Sequence, residues 1–183
     1  MSIDARSWKV AFVAHCLLNQ NAKVAGVAGY AGAFEPVVEL LSRHRAGIIQ
    51  MPCPELRHLG PGRPFGTDTR EQYDTPAYRL VCRQIAHEMA METKAYLDAG
   101  YAILAVLGVE GSPSCAVNRT PRLVEGTRVL RPGEGLYIEA LRTEFREAGL
   151  DEIPFLGIPE SEDAGDLETA LATMVHIIEK NPH

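Results

Sequence analysis

Three of the four cysteines come shortly after an apolar run of the sequence: Cys16 after residues 8–14, Cys53 after residues 46–51, and Cys115 after residues 101–109. Thiolates are nucleophiles and metal ligands, so thiols that meet in one place can bind zinc, hold an iron–sulfur cluster or attack a substrate. None of the three belongs to a closely spaced cysteine pair. They can act together only if the fold brings them together.

The apolar runs that precede these cysteines are predicted strands, and they alternate with segments of helical periodicity. Predicted strands cover residues 8–14, 46–51, 101–109 and 153–158, and predicted helices cover residues 34–43, 75–99, 136–148 and 166–179. This alternation predicts a single α/β domain over residues 1–183, with a mostly parallel sheet and helices on both faces.

In such sheets ligands bind beyond the carboxyl ends of the strands. The three cysteines are therefore expected at one edge of the sheet. The segments around them are rich in Gly, Pro and polar residues and are predicted to be loops: residues 19–32, residues 57–73 running over the surface, and residues 116–132 with a short strand near 127–130.

Composition limits the class of partner. A net charge of −6 and a pI of about 5.5 provide no basic surface for nucleic acid or for an anionic membrane. No apolar run approaches the roughly 18 residues of a spanning helix, and the first nine residues do not resemble a secretory signal. We therefore expect a cytoplasmic protein with free thiols rather than disulfides. The sequence leaves the oligomeric state open.

Several chemistries remain open for the three thiols. A zinc site would need a fourth ligand, for which His15 or His58 is the nearest candidate. A cubane iron–sulfur cluster on three cysteines would leave one iron without a protein ligand. A cysteine-nucleophile hydrolase would pair one thiolate with a histidine, and buried cysteines are often simply small apolar residues. That last interpretation is the expected one for Cys82, in the middle of a predicted helix.

The motifs around the three cysteines resemble the thiouracil desulfurase (TudS) family, formerly a domain of unknown function. The resemblance lies in three motifs that occur in this order along most of the chain: Cys16-Leu17-Leu18, Cys53-Pro54-Glu55 and Ser112-Pro113-Ser114-Cys115. It implies a Rossmann-like domain that holds a 4Fe–4S cluster on Cys16, Cys53 and Cys115. It also implies a non-redox desulfidase that removes sulfur from a thiolated nucleobase such as thiouracil, with Glu55 and Ser112 as catalytic residues.

The sequence departs from the family pattern at three places. His15 stands where the family has a small residue before the first cysteine, and Ala116 stands where it has a glycine after the third. The segment 56–73 is also longer than the family pattern predicts. All three differences are expected around the pocket, so they concern the identity of the small thiolated substrate.

Two side chains next to the cysteines are expected to act on that substrate. Glu55 is placed to activate water or to transfer a proton, although an ordinary salt-bridged carboxylate is the alternative. Ser112 is a candidate to hydrogen-bond the developing charge or to orient water, and a hydroxyl that only caps the turn is the alternative. His15 is a candidate donor to a cluster sulfur.

Overall fold

The computed structural model describes residues 4–181, so the first three and last two residues of the predicted domain lie outside the described part of the chain. In chain order the elements are β1 (Lys9–Ala14), α1 (His15–Leu18), α2 (Glu35–Arg43), β2 (Gly47–Met51), α3 (Pro54–Leu59), α4 (Arg70–Tyr73), α5 (Pro76–Asp98), β3 (Ala102–Val109), β4 (Arg119–Val124), β5 (Thr127–Pro132), α6 (Leu136–Glu147), β6 (Phe155–Ile158) and α7 (Leu167–Glu179).

Four of the strands form a parallel sheet in the order β2-β1-β3-β6. The first crossover connection runs from β1 to β2, and the second runs back from β2 past β1 to β3. The two connections cross the sheet in opposite directions, so right-handed crossovers place their helices on opposite faces. Helix α5 packs against α6, and α2 packs against α7. The predicted α/β class, with its mostly parallel sheet, is confirmed.

The long elements begin and end within two residues of their predicted bounds because their signals are local. Strand β3 is almost continuously aliphatic and is buried from Ile103 to Val109, as expected for a central strand covered on both faces. Helix α5 begins after Thr75, whose side chain accepts a hydrogen bond from the Tyr78 backbone N–H. Cys82 lies on its buried side with 1% of its surface exposed, so its predicted place in the core is confirmed.

Two loop predictions were wrong in part. Residues 116–132 contain a two-stranded antiparallel hairpin, β4 and β5, of which only the second strand was expected. The segment 57–73 contains the end of α3 and all of α4, and it does not simply run over the surface. Five of its residues are buried: Arg63, Asp68, Thr69, Arg70 and Tyr73. No helix in residues 4–181 is long and apolar enough to cross a membrane.

Two glycines allow the turn that carries Cys115 to lie against its neighbours. A Cβ atom at Gly108 in β3 would approach the Cys115 carbonyl oxygen to 2.2 Å, and one at Gly135 would approach the Ser114 carbonyl oxygen to 2.3 Å. Both atoms belong to the backbone, which cannot move away as a side chain can. The position of Cys115 therefore depends on the absence of a side chain at these two residues.

We predict that Gly108→Ala lowers the free energy of unfolding by about 3 kcal/mol, because the added methyl group overpacks a buried site. Urea unfolding followed by circular dichroism measures the change. Gly62→Ala is the matched control, because a Cβ at Gly62 has no atom within 4 Å and that residue does not have a positive φ. Equal stability of the two variants would contradict the proposed close approach.

Candidate functional site

Cys16, Cys53 and Cys115 line a single cavity of about 460 Å³. The sheet register explains their convergence. Ala14 in β1 pairs with Met51 in β2, and each is followed two residues later by a cysteine. Strand β3 pairs in parallel on the other side of β1, so its carboxyl end opens at the same edge.

Short helices directly after the strands position the first two thiols. Helix α1 begins at His15, immediately after β1, and contains Cys16. Cys53 is the N-cap of α3, where Pro54 occupies the first turn, and its Sγ atom accepts a hydrogen bond from the Leu56 backbone N–H at 3.4 Å. Such a donor stabilises a thiolate at Cys53.

The turn that carries Cys115 is held by hydrogen bonds on both sides. The Val109 N–H donates to the Cys115 carbonyl oxygen at 2.9 Å, and the Tyr137 N–H at the start of α6 donates to the Ser114 carbonyl oxygen at 2.9 Å. Inside the turn, the Ser112 Oγ atom accepts hydrogen bonds from the backbone N–H groups of Ser114 and Cys115, at 3.2 and 3.0 Å. Ser112 therefore caps the turn, and its hydroxyl proton remains available to a ligand.

Burial raises the pKa of all three thiols above the ordinary value. For Cys115 the charges of Cys16 and Cys53 raise the pKa further. Three thiolates at this place thus require a cation to compensate them. All four cysteines are free, so no disulfide occupies the thiols.

Three cysteine thiols are a donor set of the kind that holds an iron–sulfur cluster. No group of three or more His, Cys, Asp or Glu side chains in residues 4–181 is arranged to hold one metal ion. Thiolates around one zinc ion lie about 3.8 Å apart, because each Zn–S bond is about 2.3 Å long. A cubane attaches each thiolate to a different iron and so accepts a wider arrangement. His15 and His58 do not line the cavity, so neither serves as the fourth zinc ligand.

Glu55 lines the same cavity and is held at both carboxylate oxygens. Its Oε1 atom accepts a hydrogen bond from the Ser114 hydroxyl at 2.7 Å, and its Oε2 atom accepts one from Arg63 at 3.1 Å. Ser114 in turn is hydrogen-bonded to the buried Tyr78 hydroxyl. Since Ser114 donates to Glu55, the Tyr78 hydroxyl is the donor to Ser114, and this chain of hydrogen bonds fixes the carboxylate.

Arg63 belongs to the segment that was expected to be a surface loop, and sequence reasoning missed it. Only 3% of its side chain is exposed. Besides Glu55, its guanidinium donates to the Ala22 carbonyl oxygen at 2.8 Å, which ties the loop after β1 to α3. Arginine is suited to such a buried position because its planar fork serves several acceptors at once. Ser114 was also missed, since serine in a turn is an ordinary capping residue.

A second buried carboxyl group, Asp68, lines the cavity from the same segment. Its backbone has a φ of 47°, in the left-handed region that non-glycine residues rarely adopt. Arg128 of β5 lies beside it, with its Nη2 atom 3.4 Å from the carboxylate. Burial and the charge of Glu55 nevertheless raise the pKa of Asp68 from the ordinary 3.8 to about 6, because they outweigh the opposite effect of Arg128.

An ion pair between two loops forms another part of the wall. Lys23, from the loop after β1, pairs with Glu160, from the loop after β6, and both side chains are nearly buried. Gln20 donates to the same carboxylate at 2.6 Å and to the Cys16 carbonyl oxygen at 2.9 Å. This ion pair and the Gln20 hydrogen bonds join the two loops next to Cys16.

We predict that Asp68→Asn makes stability less dependent on pH. The folded protein holds the Asp68 proton more tightly than the unfolded chain, so the wild type loses stability as the pH rises from about 4 to about 6. A shift of roughly two pKa units corresponds to about 3 kcal/mol. Between pH 4 and pH 7, the free energy of unfolding of Asp68→Asn should therefore rise by about that much relative to the wild type. Urea unfolding at the two pH values measures the change. If the free energies of unfolding of Asp68→Asn and the wild type differ by the same amount at both pH values, the burial of this charge is contradicted.

Comparison with known proteins identifies two proteins that are similar to this chain. No protein-family model matches it. The uncharacterised protein MJ0003 of Methanocaldococcus jannaschii is 38% identical over 109 residues, which are 60% of this chain and 68% of that protein. Among solved structures, the 4Fe–4S-dependent thiouracil desulfidase TudS (DUF523) is similar with a TM-score of 0.50 and 25% identity, over 90% of this chain and 99% of its own. The similarity to TudS supports the DUF523 family, and the chain belongs to the same family as MJ0003.

Proposed function

We propose that the protein is an iron–sulfur-dependent desulfidase that removes sulfur from a thiolated small molecule such as thiouracil. The observation that carries the proposal is the single cavity lined by Cys16, Cys53, Cys115 and Glu55. In the reaction, water replaces the sulfur of a C=S group, which gives C=O and hydrosulfide. Atoms and electrons balance without an oxidant or a reductant.

Cys16, Cys53 and Cys115 would hold a 4Fe–4S cluster. When bound, the cluster supplies an iron without a protein ligand, which is a Lewis acid for the substrate sulfur. The chain contributes a fixed site for it. Cys115 is fixed by the close approach at Gly108, and Cys53 is fixed by its position at the start of α3.

Glu55 would act as the general base for the attacking water. Each carboxylate oxygen has lone pairs beyond the one that Ser114 or Arg63 occupies, so a water molecule can still donate to Glu55. Arg63 pairs with this carboxylate in the wall of the cavity. The two fixed contacts also orient the carboxylate before substrate arrives, which lowers the cost of reaching the reactive geometry.

Ser112 would donate its hydroxyl proton to the substrate or to the water. The two backbone N–H groups that it accepts fix the position of the oxygen and leave the proton free. Ser112 would therefore have both of the roles considered for it, because capping the turn fixes the oxygen that carries the donated proton. A positioned neutral donor of this kind stabilises developing negative charge.

The remaining sequence-based expectations are part of the proposal. The partner would be a small thiolated molecule, and neither nucleic acid nor a membrane is expected, because the chain is acidic. A cytoplasmic location is also a prediction. A cysteine-nucleophile hydrolase has less support, since neither His15 nor His58 lines the cavity and burial opposes thiolate formation.

We predict that Cys16→Ala, Cys53→Ala and Cys115→Ala each lose most of the iron that the wild type binds on anaerobic reconstitution with iron and sulfide. Each change removes one of the three ligands of the cluster. The measurements are iron and acid-labile sulfide per chain, followed by hydrosulfide release from a panel of thiopyrimidines. Cys82→Ala is the matched control and should keep both cluster and activity, because Cys82 lies in the core of α5.

Three results of that experiment would each count against the proposal in a different way. Iron binding that survives all three substitutions would contradict the cluster site. A cluster that forms in the wild type without hydrosulfide release would leave a non-catalytic iron–sulfur protein. Hydrosulfide release without iron would point to cysteine-nucleophile chemistry.

We predict that Glu55→Gln keeps the cluster and lowers the rate of desulfidation at least 100-fold, in line with the loss of a general base. The change also leaves Arg63 buried without its charge partner, which destabilises the fold. The double variant Glu55→Gln/Arg63→Gln removes both charges and separates the effects. It should regain stability and remain inactive. Full activity in either variant would exclude Glu55 as the proton-transfer group.

A further inference from the structure

Asp68 and Arg128 are a pair of polar side chains in the cavity that the proposed chemistry does not use. Arg128 reaches the cavity from β5 and lies against Asp68. Its Nε atom donates to the Asp68 carbonyl oxygen at 3.2 Å, and its Nη2 atom donates to the Gly111 carbonyl oxygen at 2.9 Å. Arg128 thus connects the hairpin to the turn that carries Cys115.

This pair presents a free acceptor beside a free donor. Within residues 4–181, the Asp68 Oδ1 atom and the Arg128 Nη1 atom have no hydrogen-bond partner, while Oδ2 and Nη2 are used between them. A carboxylate accepts N–H groups and a guanidinium donates to carbonyl oxygens. An acceptor and a donor side by side complement a ligand edge on which an N–H stands next to a C=O.

The local backbone is built to hold Asp68 in this place. The N–H groups of Thr67 and Asp68 both donate to the Gln72 side-chain oxygen, at 2.6 and 2.8 Å. The resulting turn holds Asp68 in its left-handed conformation. A strained residue and a buried carboxyl group, both of which cost stability, are common at sites that bind a ligand.

An apolar part of the cavity wall suits a flat ring. Val27, Phe65 and Leu130 line the same cavity, and Val27 and Phe65 are among the large apolar side chains that remain exposed. Apolar and aromatic side chains next to a few placed polar groups are typical of sites for small heterocycles.

We propose that Asp68 and Arg128 select the substrate by binding a –NH–C(=O)– edge of a thiolated heterocycle, with Asp68 accepting the N–H and Arg128 donating to the carbonyl oxygen. This inference rests on the proposed desulfidase function, because it names the part of the substrate that the cavity recognises. A site that hydrogen-bonds such an edge discriminates against ligands that lack it, since the buried Asp68 carboxylate is then left with one oxygen unpaired.

The test is calorimetric binding of uracil, the oxygen counterpart of thiouracil, to the reconstituted protein. We expect 1,3-dimethyluracil, which has no N–H, to bind the wild type at least tenfold more weakly than uracil. We expect Arg128→Met to weaken uracil binding at least tenfold, because it removes a charged donor. Arg131→Met is the matched control, since Arg131 is an exposed residue of the same strand and does not line the cavity. It should bind as the wild type does.

A pH series distinguishes recognition by Asp68 from a purely structural role. Glu55, Arg63, Arg128 and Tyr73 are the charged and titratable groups that act on Asp68. Uracil binding to the wild type should weaken as the pH falls below about 6, because the acceptor becomes protonated. Asp68→Asn should bind more weakly at pH 7 and should lose this pH dependence.

The proposal is overturned if the protein does not bind uracil, if uracil and 1,3-dimethyluracil bind equally well, or if Arg128→Met binds uracil as Arg131→Met does. It is also overturned if Asp68→Asn keeps the pH dependence of the wild type. If uracil binds with the expected pattern but thiouracil releases no hydrosulfide, the desulfidase function is contradicted. The proposed recognition site is still supported by that result.

Discussion

Parallel pairing of β1 with both β2 and β3 is the constraint on which the cavity depends. It makes three strands end at one edge of the sheet, so residues 16, 53 and 115 meet although nearly a hundred positions separate the first from the last. Antiparallel pairing of any of these strands would send one cysteine to the opposite edge. Gly108 then allows the last turn to fold back over its own strand, which holds the third thiol in the same cavity as the other two.

Two ion pairs organise the cavity around the thiols, and of their four side chains only Arg128 is substantially exposed. Glu55 is neutralised by Arg63, and Asp68 is only partly neutralised by Arg128. Paired charges of this kind contribute little net stability, because desolvation offsets their attraction. In the proposed reaction the first pair prepares a base, and in the proposed substrate recognition the second pair presents an acceptor and a donor.

Some features of the fold and the site could be predicted from the sequence and others could not, because only some of them depend on local sequence pattern. The strands and the convergence of the cysteines were predictable, because apolar runs and strand order depend on local pattern and on sheet topology. Arg63 could not be predicted, because its burial depends on the distant Ala22 carbonyl oxygen and on Glu55. Asp68 looked like loop polarity for the same reason, and Ser114 looked like a turn residue until the structure placed its hydroxyl on Glu55.

Mössbauer spectroscopy of the protein reconstituted anaerobically with ⁵⁷Fe, recorded with and without thiouracil, tests the central claim most directly. Three cysteines leave one of the four irons of a cubane without a protein ligand. We predict the spectrum of a 4Fe–4S cluster in which roughly a quarter of the iron signal changes when thiouracil is added. A spectrum of isolated iron ions, or a cluster spectrum that thiouracil leaves unchanged, would contradict a cluster held on Cys16, Cys53 and Cys115 and open to substrate.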